Sequence, residues 1–276
     1  MMPDDEFIFV KSRRKNNKRK TLQLRGTISS NTCCVATKES VLGKLESAKQ
    51  EIQISDFFSL LFELLLQTLN SKSDASVEQI ICYGLGNFSE NVTSRYQLAL
   101  LLLLKHGLHT HVFIHDPLFN GVECDLLEQL GCKVIKQNEE GKRTIKIGTK
   151  TLAYFPHCPK QLINNFLWSN WNINLENCVI IGNSFSTIIE TNTHKHLTQN
   201  AAYVQLIFPF VKEMSVVNSF RYNDIFNDLS VHAFPDLKGP SALSLWSSCE
   251  EPKYSKDDVE LIMQEIIPAL KHSNLQ

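Results

Sequence analysis

Four short apolar runs, separated by helix-length segments, each end in a small or polar signature. Ile80-Ile81-Cys82-Tyr83 runs into Gly84-Leu85-Gly86-Asn87, and Val112-Phe113-Ile114 runs into His115-Asp116-Pro117. Leu152-Ala153-Tyr154-Phe155 meets Pro156-His157-Cys158-Pro159, and Val179-Ile180-Ile181 meets Gly182-Asn183-Ser184. Strands alternating with helices at this spacing predict βαβ units, hence an α/β fold with a mainly parallel, doubly wound, Rossmann-like sheet. Open sheets of this kind bind ligands outside the carboxyl ends of their strands, so the four endings are candidates to share one crevice.

The flanking segments complete the reading. Residues 1–38 combine charge runs with Asn, Ser and Thr and few large apolar residues, a mixture that buries too little surface to offset ordering entropy, and are expected to form a disordered basic tail. The α/β domain is expected over 39–250, and 251–276 as a helical extension opened by Ser255 with Asp258 and stopped by Pro268. Leu42, Leu45 and Ile52 predict a first amphipathic helix, and Ser55 caps a second in which Phe57, Leu61, Leu65 and Leu69 repeat every four residues. Strands are predicted at 79–83, 111–115, 133–135, 151–155 and 178–181, and helices at 92–106, around Val122 to Leu130, and at 160–168. Glu139-Glu140-Gly141-Lys142 reads as a hairpin turn with β structure at 144–147, and 203–208 and 231–234 read as later strands.

Bulk properties exclude several classes. At 276 residues and 43% hydrophobic composition the chain suits one sizeable core. The longest leucine-rich run, 98–104, falls far short of the ~20 residues that cross a bilayer, and the acidic start (Asp4, Asp5, Glu6) has no secretory stretch, so a soluble intracellular chain is expected. Eight scattered cysteines read as reduced, largely buried thiols. The net charge of -1 hides the basic run 11–20, which reads as a nuclear localisation signal, a nucleic-acid contact or a solvated tail; the lack of interleaved aromatics argues against direct nucleic-acid binding.

The strand endings carry the candidate chemistry. Gly84 and Gly86, with Asn87 in the same turn, sit where glycines let backbone approach a phosphate at a helix amino terminus, although Ser89 replaces the third glycine of the dinucleotide fingerprint. A plain tight turn is the competing reading, with Ser89, Asn91 or Thr93 capping the following helix. Asp116 stands at the end of the second strand, where an acid accepts hydrogen bonds from a ribose, or it opens an Asp-Pro turn. His115 beside it points the other way along an extended chain, so the two need not share a site.

His157 reads as a general acid or base, or with Cys158 as a haem ligand, since Cys158-Pro159 matches the minimal dipeptide of haem-responsive proteins; a simply hydrogen-bonded histidine is the competing reading. No second Cys or His stands at a metal-ligand spacing, so no metal site is expected. Asn183 and Ser184 read as caps or ligand hydrogen-bonders; the nucleophile-elbow pattern needs glycine at Ser186, and no partner carboxylate can be placed from the sequence. Asn227, Asp228 and His232 form a further polar cluster.

Taken together these segments resemble the Sensitivity to Red Light Reduced domain family. The carrying residues are Cys82-Tyr83-Gly84-Leu85-Gly86-Asn87-Phe88-Ser89 with Tyr96-Gln97-Leu98-Ala99, His115-Asp116-Pro117 with Phe119 and Glu123, and Phe155-Pro156-His157-Cys158-Pro159 with Asn164 or Asn165 and Trp171. Ile180-Ile181-Gly182-Asn183-Ser184-Phe185 and Phe226-Asn227-Asp228 with Ser230 and His232 complete them, Leu229 and Ala233-Phe234 departing from the family pattern. The resemblance implies a regulator of circadian-clock gene expression and, in animal members, of haem biosynthesis, cytoplasmic and nuclear. The strand-end reading adds a small ligand at Gly84, Gly86, Asn87, Asp116, His157, Cys158, Asn183 and Ser184, and regulatory protein partners are expected. The resemblance carries no catalytic residues. The alternatives are a transferase using S-adenosylmethionine or a nucleotide, with Gly84 and Gly86 at the cofactor and Asp116 on its ribose, and a pure interaction scaffold.

Overall fold

A computed structural model describes residues 37–70, 76–247, 249–255 and 261–263, all within the unit Ala36–Gln276. The basic tail up to residue 36 lies outside the described residues, as do Asp258 and Pro268 of the expected terminal helix. Residues 251–255 and 261–263 are irregular. Among the described residues, no single helix is long and apolar enough to cross a membrane.

Two helices come first, α1 (Lys38–Gln53) and α2 (Asp56–Asn70). Thr37 caps α1, its hydroxyl accepting the Ser40 N–H, and Val41, Leu45, Ala48 and Ile52 form its buried stripe. Ser55 Oγ accepts the Phe58 N–H at 3.3 Å, the cap that the sequence predicts for α2. Phe57, Leu61, Leu65 and Leu69 are its buried residues, and Phe57 stacks on Phe226 at 4.6 Å. Each such buried side chain contributes about 1.5–3 kcal/mol relative to exposure.

The sheet begins with β1 (Val77–Tyr83), α3 (Val92–Gly107), β2 (His111–His115), α4 (Gly121–Gln129) and β3 (Cys132–Val134). It continues through β4 (Lys150–Phe155), α5 (Lys160–Ser169) and β5 (Cys178–Asn183). Helices α6 (Phe185–Thr191), α7 (His194–Asn200) and α8 (Ala202–Ile207) then lead to β6 (Lys212–Ser215) and β7 (Leu229–Ala233). Among the described residues the strand order is β3-β2-β1-β4-β5-β7-β6. The pairs from β3 to β5 are parallel, and β7 runs antiparallel to both β5 and β6.

This is the Rossmann-like fold that the alternating runs predict. The strands alternate in side chain between two cores. Ile80, Cys82, Ile114, Leu152, Tyr154 and Ile181 pack with α1–α4, whereas Ile81, Tyr83, Ala153, Phe155 and Ile180 pack with α5–α8. Helices therefore cover both faces. The order reverses between β1 and β4, since β2 and β3 are laid down on one side of β1 and β4 and β5 on the other. Register brings the endings level there: Tyr83 pairs with His115, Cys82 with Tyr154, and Phe155 with Gly182.

Three expectations are corrected. The turn at Glu140 and Gly141 exists, with Lys142 N–H donating to Glu139 O at 2.8 Å, but no hairpin flanks it and 144–147 is not strand. That segment satisfies its backbone on α5 and the residue capping it: Ile145 N–H donates to Asn170 Oδ1, and Asn165 and Asn170 donate to Glu140 O and Arg143 O. Residues 203–208 are not a strand, because α8 covers most of them and buries Tyr203, Val204 and Ile207 beside α5. A short apolar run has no period that separates the two. The third strand begins one residue earlier than predicted, at Cys132.

Candidate functional site

A cavity of about 290 Å³ opens at the carboxyl ends of β1, β2 and β4. Gly84, Gly86, Asp116 and His157 all line it. It sits at the point where the strand order reverses, the place where open α/β sheets hold ligands.

The turn after β1 requires both glycines. Gly84 has φ +72°, and a Cβ there would stand 2.5 Å from Cys158 Cβ; Gly86 has φ +79°, and its Cβ would stand 2.8 Å from Ser94 Oγ. Asn91 then caps α3 by accepting the Ser94 N–H at 3.1 Å, so Asn91, Thr93 and Ser94 bring a helix amino terminus to the cavity wall. Asn87 does not line the cavity: its Oδ1 accepts the Glu90 N–H and the Ser89 hydroxyl, holding the turn.

Fully buried Glu123 anchors the same turn to α4, accepting the Ser89 N–H at 2.8 Å and the Asn120 N–H at 3.0 Å. The turn reading of Asp116 is realised, and the carboxylate also reaches the glycine turn. Its Oδ1 accepts the Leu118 N–H at 2.8 Å, closing the Asp-Pro turn, and its Oδ2 accepts the Gly86 N–H at 2.7 Å.

His115 lines the cavity with Asp116 rather than a separate site. Its Nδ1 lies 2.8 Å from Ile135 O, and because a carbonyl only accepts, Nδ1 carries the proton. Nε2 is buried and has no hydrogen-bond partner among the described residues.

His157 adopts a left-handed φ of 48°, and its Nε2–H donates to Asn227 O at 2.8 Å. Cys158 is buried behind the wall, with its Cβ on Gly84. Burial pushes its thiol far up, the Asp116 carboxylate pushing the same way. Iron ligation needs a thiolate or a free imidazole nitrogen. With the thiol held protonated and His157 Nε2 committed to Asn227, His157 Nδ1 is the nitrogen of this pair that keeps a lone pair for a metal, and no chemistry is derived through a haem.

Asn183 and Ser184 lie off the cavity and stitch its rim to the antiparallel edge. Asn183 Nδ2–H donates to Cys158 O at 3.1 Å, while Ser184 caps α6 through Thr187 N–H and donates its own N–H to Asp228 O. Sequence reasoning missed Glu213, which sits on the unpredicted strand β6. Its Oε2 accepts both the N–H and the hydroxyl of Ser186, at 2.9 and 2.7 Å.

Glu213 is thus the carboxylate that the sequence could not place, yet no nucleophile elbow results. Buried His232 faces Ile180 O with Nδ1 and the Phe185 N–H with Nε2. Among the described residues no group of three or more His, Cys, Asp or Glu is arranged to hold a metal ion.

An open α/β sheet with a ligand-sized cavity at its switch point, rimmed by glycines, an acid and two histidines, defines a Rossmann-like domain. Within that class the chain belongs to the SRR1 domain family, which it matches over residues 49–233. It is similar to the SRR1-like protein of Drosophila melanogaster, 31% identical over 98% of this chain and 99% of the relative. The SRR1-like protein of Mus musculus is 35% identical over 61% of this chain and 81% of its own length. Protein SENSITIVITY TO RED LIGHT REDUCED 1 of Arabidopsis thaliana is 29% identical over 51% of this chain and 54% of its own length.

Proposed function

We propose that this protein is a regulator, acting on circadian-clock gene expression and on haem biosynthesis, whose regulatory state is set by a small molecule in the switch-point cavity. The carrying observation is that Gly84, Gly86, Asp116 and His157, from three separate motifs of the family, meet at one cavity. In this reading Asn87, Cys158, Asn183 and Ser184 hold the rim, and the ligand's presence alters what protein partners meet there. The name of the Arabidopsis relative supports a signalling role.

The test is a cavity-blocking substitution, Thr93→Trp, at a lining position that is not fully buried. In cells lacking the protein, the folded variant should fail to restore rhythmic clock-reporter expression and normal haem content. Full restoration would remove the cavity from the function. Action in both cytoplasm and nucleus is part of the same reading, with the basic run 11–20 as the nuclear signal. Replacing its seven Lys and Arg residues by Ala should lower the nuclear fraction.

A second reading, a transferase using S-adenosylmethionine or a nucleotide, is favoured by one observation. Asp116 ends β2 beside the glycine turn, the ribose-binding position of such folds.

A further inference from the structure

The chemistry of the cavity wall narrows its ligand. Asp116 brings a carboxylate, and among the described residues no Lys or Arg lines the cavity. A nucleoside di- or triphosphate would meet a like charge offset only by the partial charge of the α3 amino terminus, in a partly desolvated site where such repulsion is felt strongly. The glycine turn adds to this. In phosphate-binding turns the backbone N–H groups face the phosphate, but here the Gly86 N–H already holds the Asp116 carboxylate at 2.7 Å. The turn carries its own anion.

The wall also offers acceptors. Each Asp116 oxygen receives one backbone N–H and keeps a second acceptor site. His115 is 8% exposed, its tautomer is fixed by Ile135 O, and its buried Nε2 has no partner among the described residues. Buried acceptors left unpaired are costly, so a shift of the His115 ring that opens this buried nitrogen to a ligand donor would be favoured. Pro117, Pro156, Leu162 and Leu261 supply apolar wall for a flat ring. A volume of about 290 Å³ lies at the small end of the ~300–1,000 Å³ of ligand sites.

We infer that the cavity takes an unphosphorylated ribonucleoside, including its sulfonium derivative S-adenosylmethionine, with ribose hydroxyls and ring N–H groups donating to Asp116 and His115. This rests on reading the cavity as a ligand site, and it deepens that reading by excluding the phosphorylated nucleotides.

Calorimetric titration of the full chain with adenosine, guanosine, S-adenosylmethionine, ATP and GTP tests it. At least one unphosphorylated probe should bind, and its phosphorylated counterpart should bind tenfold or more weakly. Asp116→Asn should weaken the nucleoside and narrow its margin over the triphosphate. Thr93→Lys, which places a cation in the cavity and leaves the turn intact, should narrow that margin from the other side by strengthening the triphosphate. Triphosphates binding as tightly as nucleosides would overturn the inference, and so would failure of every probe at millimolar concentration. If a nucleoside binds and Thr93→Trp leaves that binding unchanged, the cavity reading itself falls; if Thr93→Trp abolishes nucleoside and triphosphate binding of equal strength, only the nucleoside class falls.

Discussion

The Asp116 carboxylate reaches across the β1–β2 edge to accept the Gly86 N–H at 2.7 Å, while its other oxygen accepts the Leu118 N–H at 2.8 Å. One buried side chain thereby fixes two strand-end turns. Hydrogen bonds to a charged group contribute about 1.5–3 kcal/mol, and leaving the Gly86 N–H unpaired adds a desolvation cost. Asp116→Ala should therefore lower the unfolding free energy by about 2–3 kcal/mol, read as a shifted urea midpoint at unchanged slope. A loss below about 0.5 kcal/mol would mean that water replaces the carboxylate and that the rim is open to solvent.

Gly84 and Gly148 separate backbone strain from crowding. Their φ angles are +72° and +76°, but a Cβ on Gly84 would meet Cys158 Cβ at 2.5 Å, whereas one on Gly148 would meet nothing within 4 Å. Gly148→Ala should cost only the left-handed penalty of about 1–2 kcal/mol. Gly84→Ala should cost a further ~1–3 kcal/mol, because the loop after β4 must move to admit the methyl group. Equal losses in thermal melts would show that the two loops are not in fixed contact.

The parallel strands were legible because burial on both faces makes them apolar almost throughout, as in Leu152-Ala153-Tyr154-Phe155, all buried. The exposed edge strand β6 was not, since Lys212, Glu213, Met214 and Ser215 have no buried member to set a period. The site divides in the same way. Register alone carries Gly86, Asp116 and His157 to one edge, so reading the strands placed them. Whether a residue past a strand end turns toward the cavity or away from it depends on contacts remote in sequence, such as Asn183 with Cys158 and Ser184 with Asp228. Leu261 and Ile262 close part of the wall from the far end of the chain, a placement that no local pattern records.

Thiol reactivity should follow burial. Burial pushes the thiols of Cys82, Cys158 and Cys178 well up, so each is protonated at neutral pH, while Cys249 is exposed. Alkylation of the native protein at pH 8, followed by peptide mass spectrometry, should label Cys249 at least tenfold faster than these three. Adding haem should not change the ranking, and Cys158→Ala should leave the haem absorption spectrum as it is in the unsubstituted protein. A Cys158-dependent Soret shift would restore Cys158 as a ligand.

Glu213 should make the antiparallel edge acid-labile. Burial pushes its carboxyl up, but the facing polar groups of His232 and Ser184 and the two hydrogen bonds from Ser186 outweigh that and hold it well below its ordinary value of 4.5. The folded state therefore prefers the ionised form, and the stabilisation is complete at pH values above the unfolded pKa. It declines as the pH falls below about 4.5 and is lost as the pH passes through the depressed folded value. Glu213→Gln should thus be less stable than the unsubstituted protein at pH 7, with the difference in denaturation free energy shrinking between pH 4.5 and pH 2.5. A difference constant over that range would mean that Glu213 acts only as a neutral hydrogen-bond acceptor for Ser186.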